Sequence, residues 1–248
     1  MTESVIFAPG SMTHLMPLLL TQYLPSQQHP FRCEFGPSGL LREKIESGAH
    51  CDIFLSATIS HTKALGDIGI LKAYTTLALN QMVLVHPKAY QLTQETVLDA
   101  IIAPEYALGM STTGLDPAGD YAFEILARVS HVTGMDLSAL EERTRVITGG
   151  RETPNAPPGR NQYGWIMETQ HVDLLLTYYS NALAAINDNP NLSYTSLPQS
   201  VAIKGIFGAG LTHSARPEAA QFYHWLSTLD AQRILEAGGF EISRRGDD

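Results

Sequence analysis

The sequence predicts an α/β fold in which a mostly parallel sheet is flanked by helices. A short apolar run, a turn of small residues and a helical pattern follow one another three times within the first 65 residues. Strands that alternate with helices in this way pair in parallel, with the helices crossing over the sheet faces. The chain of 248 residues is 44% hydrophobic and 17% charged, the balance of an ordinary globular protein. Its length suits one large α/β domain or two lobes of roughly 100–150 residues, each able to bury its own core.

In the first unit, residues 4–8 read as a strand and Pro9-Gly10-Ser11 as its turn. Met12, Leu15, Met16, Leu19 and Tyr23 then recur at helical spacing. Pro17 inside that pattern predicts a kink or a delayed start. In the second, residues 31–35 form the strand and Gly36-Pro37 the turn. Ser38 is a candidate N-cap for a helix carrying Leu41 and Ile45 and stopping near Gly48. In the third, a strand over residues 51–56 ends at Ala57 and a helix runs to about Leu65.

Further strands are predicted over residues 77–86, ended by Pro87, and over 108–111. Asp116 as N-cap and Pro117 at the first helical position open a helix through Tyr121, Ile125 and Val129. Residues 148–160 (TGGRETPNAPPGR), with three prolines and three glycines, read as an ordered loop. A helix near 163–170, strands over 172–178 and 200–207, and one amphipathic helix over 218–235 complete the pattern. That last helix carries Phe222, Trp225, Leu226, Leu229 and Ile234 and stops at Gly238-Gly239. No internal repeat is visible.

Several classes of function are disfavoured at once. With 25 Asp+Glu against 16 Lys+Arg the net charge is -9, which argues against nucleic acid, since phosphate binding needs a basic face. The best apolar runs, residues 82–85 and 174–176, fall far short of the ~18 residues of a membrane span. The N-terminus has no basic start, apolar core or small-residue cleavage site, so no signal peptide is visible. Cys33 and Cys51 are read as two separate buried thiols, a bridge staying open in an oxidising compartment.

No catalytic function is expected. The Gly-Pro-Ser-Gly around Ser38 lacks the spacing of a nucleophile elbow, and neither a Walker A loop nor a G-x-G-x-x-G after a strand occurs. His50-Cys51-Asp52 is the tightest group of metal-ligand types. Neighbouring strand residues point to opposite faces, so at most two could converge, and the group reads as structural. No metal site and no cofactor are expected.

The positive signal is topological. Ser11, Ser38, Ala57 and the 116–119 turn each fall where the C-terminal end of a strand meets a helix start, and open α/β sheets bind ligands outside those strand ends. Helix starts offer unpaired N–H groups and the positive pole of the dipole. Several aimed at one place form an anion site without any cationic side chain. For each residue taken singly, a capping role is the plain alternative.

These segments resemble the molybdate/tungstate-binding periplasmic proteins, the solute receptors of ABC transporters. The matching stretches are FAPGSM (7–12), EFGPSGLLREKIESGAHCDIFLSA (34–57), DPAGDYAFEIL (116–126), LLLTYYSNALAA (174–185) and EAAQFYHWLSTLDAQRILEAGGF (218–240), in family order. The resemblance implies a two-lobed type II periplasmic-binding fold with a ligand cleft at the hinge. Residues 1–79 and 203–248 would form lobe one and residues 80–202 lobe two. It further implies a tetrahedral oxyanion held by Ser11, Ser38 and Ala57 from lobe one, and by the Ala118 N–H and the Tyr178 hydroxyl from lobe two.

The chemistry agrees with that donor set. Molybdate or tungstate at neutral pH is a dianion with no proton to give, so its site needs donors only, whereas phosphate would favour a carboxylate acceptor. Asp116 is the candidate for that acceptor, and a helix cap is its competing role. The Pro/Gly-rich loop ending at Arg160-Asn161 departs from the family pattern. If Arg160 or Arg151 faced the cleft, it would add a charged bidentate donor and admit a sulfate-like or carboxylate-bearing anion. The expected protein is a monomeric periplasmic receptor that takes an oxyanion and hands it to an ABC transporter permease. A cytosolic anion sensor and an enzyme on the same fold are the alternatives, the sensor favoured by the bare N-terminus and the enzyme by nothing in the spacing.

Overall fold

The computed structural model describes residues 3–23, 29–170 and 172–242. In chain order the first elements are β1 (Ser4–Pro9), α1 (Met16–Gln22), β2 (Phe31–Gly36), α2 (Ser38–Glu46), β3 (Ile53–Ser56) and α3 (Ile59–Asp67). The long strand β4 (Leu71–Pro87) leads to α4 (Val97–Ile102), β5 (Leu108–Ser111), α5 (Pro117–Thr133), α6 (Leu137–Arg143) and β6 (Thr144–Thr148). Then come α7 (Gln162–Thr169), β7 (Leu174–Tyr178), α8 (Tyr179–Asp188) and β8 (Leu192–Ser196). The chain closes with β9 (Lys204–Thr212), α9 (Pro217–Trp225) and α10 (Leu229–Ala237). It divides into two compact units, Met1–Asn80 with Ile206–Asp248, and Gln81–Gly205. It passes from one to the other within β4 and returns within β9.

In the first unit the strand order is β2-β1-β3-β9. β1 pairs in parallel with both neighbours, Pro9 level with Gly36 and Phe7 level with Phe54, while β9 returns antiparallel to β3. All six residues of β1 are buried, as a strand covered on both faces must be. Val5, Phe7, Leu41, Ile45, Phe54 and Leu65 pack into one core that α2 and α3 close. In the second unit β5 pairs in parallel with β6 and β7, and β4 pairs antiparallel with β7 and β8. Its core joins Val83 and Val85 to Ile166, Leu175, Ala182 and Leu192.

Each unit uses the same device to hold its parallel strands in register. The Val5 N–H donates to Asp52 Oδ2 at 2.7 Å and the Asp52 N–H returns to the Val5 carbonyl at 2.9 Å. In the other unit the Ala107 N–H donates to Asp173 Oδ2 at 2.8 Å and the Asp173 N–H returns to the Ala107 carbonyl at 2.8 Å. Each aspartate stands just before its strand, so a side chain and a backbone group together clip the strand start. Asp52 also accepts the Arg216 backbone N–H at 2.8 Å and its guanidinium at 2.7 Å, and Asp173 accepts the Tyr90 hydroxyl at 2.8 Å.

That arrangement gives the His50-Cys51-Asp52 group its role. His50 Nε2 lies 2.7 Å from the Arg216 guanidinium, and the Cys51 thiol donates to the Ile53 carbonyl at 3.0 Å. Both thiols are free. Burial pushes Cys33 up to about 11 and Cys51 up to about 12. Among the described residues, no group of three or more His, Cys, Asp or Glu could hold a metal ion, and no helix is long and apolar enough to cross a membrane.

Several elements differ from the sequence expectation for identifiable reasons. α1 begins only at Met16 with Pro17 in its first turn, so the proline delays the helix, and Gly10–Met12 forms a separate 3-10 turn. Ser38 is the first helical residue of α2 and not its N-cap, which is Pro37. β4 starts at Leu71, six residues earlier than expected, and β9 starts at Lys204, four residues later. The helix expected over 218–235 is two helices. Thr228 caps the second by accepting the Ala231 N–H, and Leu229, expected on the core face, is 70% exposed. A 3.6-residue pattern that runs on through Leu226 hides this break.

Asp52 therefore supports stability from a buried position. Asp52→Ala strips the Val5 and Arg216 N–H groups of their acceptor and the guanidinium of its counter-ion. It should cost about 3 kcal/mol, read as a lower urea midpoint with an unchanged slope.

Candidate functional site

In the first unit the register of β1, β2 and β3 decides where the candidate residues fall. Because Pro9 lies level with Gly36, the turns carrying Ser11 and Ser38 leave the same sheet edge from adjacent strands, each two residues past that pair. Phe7 lies level with Phe54, so β3 delivers Ala57 to the same edge. The Ala57 N–H donates to Ser38 Oγ at 3.0 Å, a buried bond. A hydroxyl that accepts in this way keeps its own hydrogen for a further acceptor.

Two features of this edge are unsatisfied. Ser11 is 3% exposed, and its Oγ is buried with no hydrogen-bond partner among the described residues. Such an orphan costs about 1–3 kcal/mol. The start of α2 has no side-chain cap, because its N-cap is Pro37, and its first residues Ser38 and Gly39 are buried. A buried helix start carries N–H groups that require an acceptor and a positive dipole end that favours an anion. The edge offers donors and no formal charge.

In the second unit the parallel ladder places Ser111 level with Thr148, at the C-terminal ends of β5 and β6. Asp116 caps α5 as expected, accepting the Ala118 N–H on Oδ1 at 3.2 Å, and Pro117 follows at the first helical position. The Ser111 hydroxyl donates to the other carboxylate oxygen at 2.6 Å. Burial pushes the Asp116 carboxyl above the usual range, while the bonds from Ser111 and Ala118 pull the other way. Gly149 closes over this pair. Its φ is +76°, and a Cβ there would sit 2.0 Å from Ser111 Oγ and 2.8 Å from Asp116 Oδ2.

Tyr178 ends β7 in the same neighbourhood, its ring set edge-on to Tyr121. Burial and the nearby Asp116 charge hold its phenol well above the ordinary range, and the same two causes raise Tyr163. The Tyr178 hydroxyl is therefore a neutral O–H at any physiological pH. Gly205 gives the ring room, since a Cβ there would lie 2.9 Å from Tyr178 Cε1 and 3.0 Å from Tyr121.

Of the residues expected from sequence, Ser11, Ser38 and Ala57 meet at one edge of the first unit, and Ala118 and Tyr178 lie in the cluster around Asp116 in the second. Arg160 is elsewhere engaged. Its Nε lies 3.1 Å from both Asp188 oxygens, and its Nη2 reaches Asp188 at 3.0 Å and Glu168 at 2.8 Å. These hydrogen bonds, from Asp188 first, hold its pKa above the ordinary value. Two carboxylates thus occupy the fork that a ligand anion would need. Sequence reasoning missed Ser111, Gly149, Tyr163 and Gly205. The Gly149-Gly150 pair after a strand was the one local hint, because the others act through contacts distant in sequence.

The architecture, a mostly parallel sheet flanked by helices in each unit, is the type II periplasmic-binding fold. The chain belongs to the bacterial extracellular solute-binding protein family, whose model it matches over residues 5–241. It is 27% identical over 238 residues to YvgL of Bacillus subtilis (strain 168), a lipoprotein assigned by name to the ABC transporter substrate-binding proteins; the match spans 95% of this chain and 85% of that one. Among solved structures, the periplasmic molybdate-binding protein of Azotobacter vinelandii superposes with a TM-score of 0.77 at 20% identity, covering 98% of this chain and 100% of that one. The sulfate-binding protein SubI of Mycobacterium tuberculosis gives 0.80 at 13% identity, covering 99% and 88%. At these identities the structural likeness speaks for the fold alone.

The packing of Gly149 is directly checkable. Gly149→Ala combines a strained positive φ with a clash against Ser111 and Asp116 and should destabilise the protein by about 1–3 kcal/mol. Denaturant titration should show the loss, and near-ultraviolet circular dichroism should report the disturbed tyrosine cluster.

Proposed function

We propose that this chain is the solute receptor of an ABC-type transporter and that it takes a tetrahedral oxyanion, molybdate or tungstate first and sulfate-like ions next. The observation that carries the reading is Ser11 Oγ, a buried hydroxyl with no partner at the C-terminal edge of a parallel sheet. A group of that kind is retained at a cost in stability, and an arriving anion would satisfy it. The uncapped start of α2 beside it and the Ser38 hydroxyl, held as an acceptor by Ala57, support the same reading.

In this proposal the Ser11 and Ser38 hydroxyls donate from the first unit and the Tyr178 hydroxyl from the second. The Ala57 N–H, now given to Ser38 Oγ, and the Ala118 N–H, now given to Asp116, would join by turning from those acceptors to the anion. Every donor is neutral. That suits an ion that carries no proton of its own, since such an ion needs only hydrogen-bond donors. Arg160 is left out of the set because Asp188 and Glu168 already hold it. The family match and the name of the Bacillus subtilis relative support a binding protein that hands its solute to a membrane permease, acting outside the cytoplasm, and not a catalyst.

Calorimetric titration with molybdate, tungstate, sulfate, phosphate and citrate tests the proposal. Molybdate or tungstate should bind tightest and citrate not at all. Ser11→Ala and Ser38→Ala should each weaken binding by about 1.5–3 kcal/mol, roughly ten- to a hundredfold. Ser11→Ala should leave the unliganded protein as stable or more so, because it removes an unpaired group. Wild-type affinity in both variants would refute the assignment.

A further inference from the structure

The second unit holds a carboxylate where the proposed function wants donors. Asp116 is half-buried, and its two oxygens take the Ser111 hydroxyl and the Ala118 N–H, groups that stand at the strand ends of the proposed ligand donors. Among the described residues, the charged group acting on it is Asp120 of its own helix, also negative. From the other packed elements it faces the Ser111 hydroxyl of β5, Gly149 beyond β6, Tyr163 of α7 and Tyr178 of β7, none of them a cation. A dianion brought to this cluster meets a like charge.

Resting on the oxyanion reading above, we infer that anion binding is gated by a proton at Asp116. The carboxylate takes a proton from solvent as the anion arrives, and the Ser111–Asp116 hydrogen bond reverses. In the ionised pair the serine O–H donates to Oδ2, so its hydrogen is held away from any ligand. Once Oδ2 carries a proton, that O–H donates to Ser111 Oγ, and the serine hydrogen turns to a new acceptor. One proton thus cancels the repulsive charge and frees one hydroxyl donor. No bond between heavy atoms changes, and the charge balances, since solvent supplies the proton and the anion keeps its own charge. Burial has already moved the Asp116 carboxyl upward, in the direction that the arriving anion would push it further.

The sign of the effect follows. An anion raises the carboxyl further, so the complex binds more protons than the free protein between the two pKa values. Affinity must fall there as pH rises, and must level off below the free-state pKa. An anion site of neutral donors alone would show no such slope.

The experiment is calorimetric titration of wild type and Asp116→Asn with sulfate and with molybdate, in buffers of different ionisation enthalpy, from neutral to alkaline pH. Asparagine is an equally good N-cap, so the start of α5 is preserved. Wild type should take up close to one proton per anion and lose up to about tenfold in affinity per pH unit. Asp116→Asn should bind with no proton uptake and no pH slope, and more tightly than wild type at alkaline pH. Anion binding by wild type without proton uptake, or uptake that persists in Asp116→Asn, overturns the inference and leaves the oxyanion reading standing. Failure of both anions to bind either protein overturns both. Should Asp116→Asn misfold, infrared difference spectra of wild type decide. A carboxylic-acid C=O band that grows on adding sulfate supports the inference, and its absence overturns it.

Discussion

The reciprocal bonds between Val5 and Asp52, and between Ala107 and Asp173, set the register on which the rest of the structure depends. Parallel strands give no hairpin to fix their alignment, and a slip of one residue turns every side chain to the other face. By pairing both a side-chain oxygen and a backbone N–H with the neighbouring strand start, each aspartate removes that freedom at the N-terminal edge. The consequence is felt at the opposite edge. Ser11, Ser38 and Ala57 come together only because Pro9 lies level with Gly36 and Phe7 with Phe54. A core feature at one end of the sheet thus places the proposed donors at the other.

The two units present those donors in different states. In the first, Ser11 is unpaired and α2 begins without a cap, so the unit stores an unsatisfied polar edge at a cost in its own stability. In the second, Asp116 satisfies Ser111 and Ala118 internally. On the proposed reading the Ser11 and Ser38 hydroxyls are ready for an anion, while in the second unit Asp116 must be given up or neutralised first. A net charge of -9 is compatible with both, since it describes the surface while hydroxyls and helix-start amides govern the edge.

Local signals in the sequence were legible wherever chemistry is local. Asp116-Pro117 announces the start of α5 and its cap, and the apolar run over residues 108–111 coincides with β5 at both ends. Ser38 lies at the expected turn but inside the helix, because a proline can hold the N-cap position while leaving the cap unmade. The periodicity of residues 218–235 concealed the break at Thr228, since apolar spacing continues across a boundary that only a hydroxyl marks. What the sequence could not reveal was proximity across the fold. The contact of Gly149 with the Ser111–Asp116 pair and of Gly205 with Tyr178 joins residues far apart in the chain, and no spacing rule connects them. The engagement of Arg160 by Asp188 is of the same kind.

The central claim is that the orphaned Ser11 hydroxyl and the start of α2 are parts of one anion site. Tungsten anomalous diffraction from crystals grown with tungstate tests it most directly, because the metal is located without reference to any assumed pose. The account predicts a single strong peak with ligand oxygens in hydrogen-bond contact with both Ser11 Oγ and Ser38 Oγ. A fully occupied tungstate elsewhere in the molecule, with Ser11 Oγ still unpartnered, would contradict it.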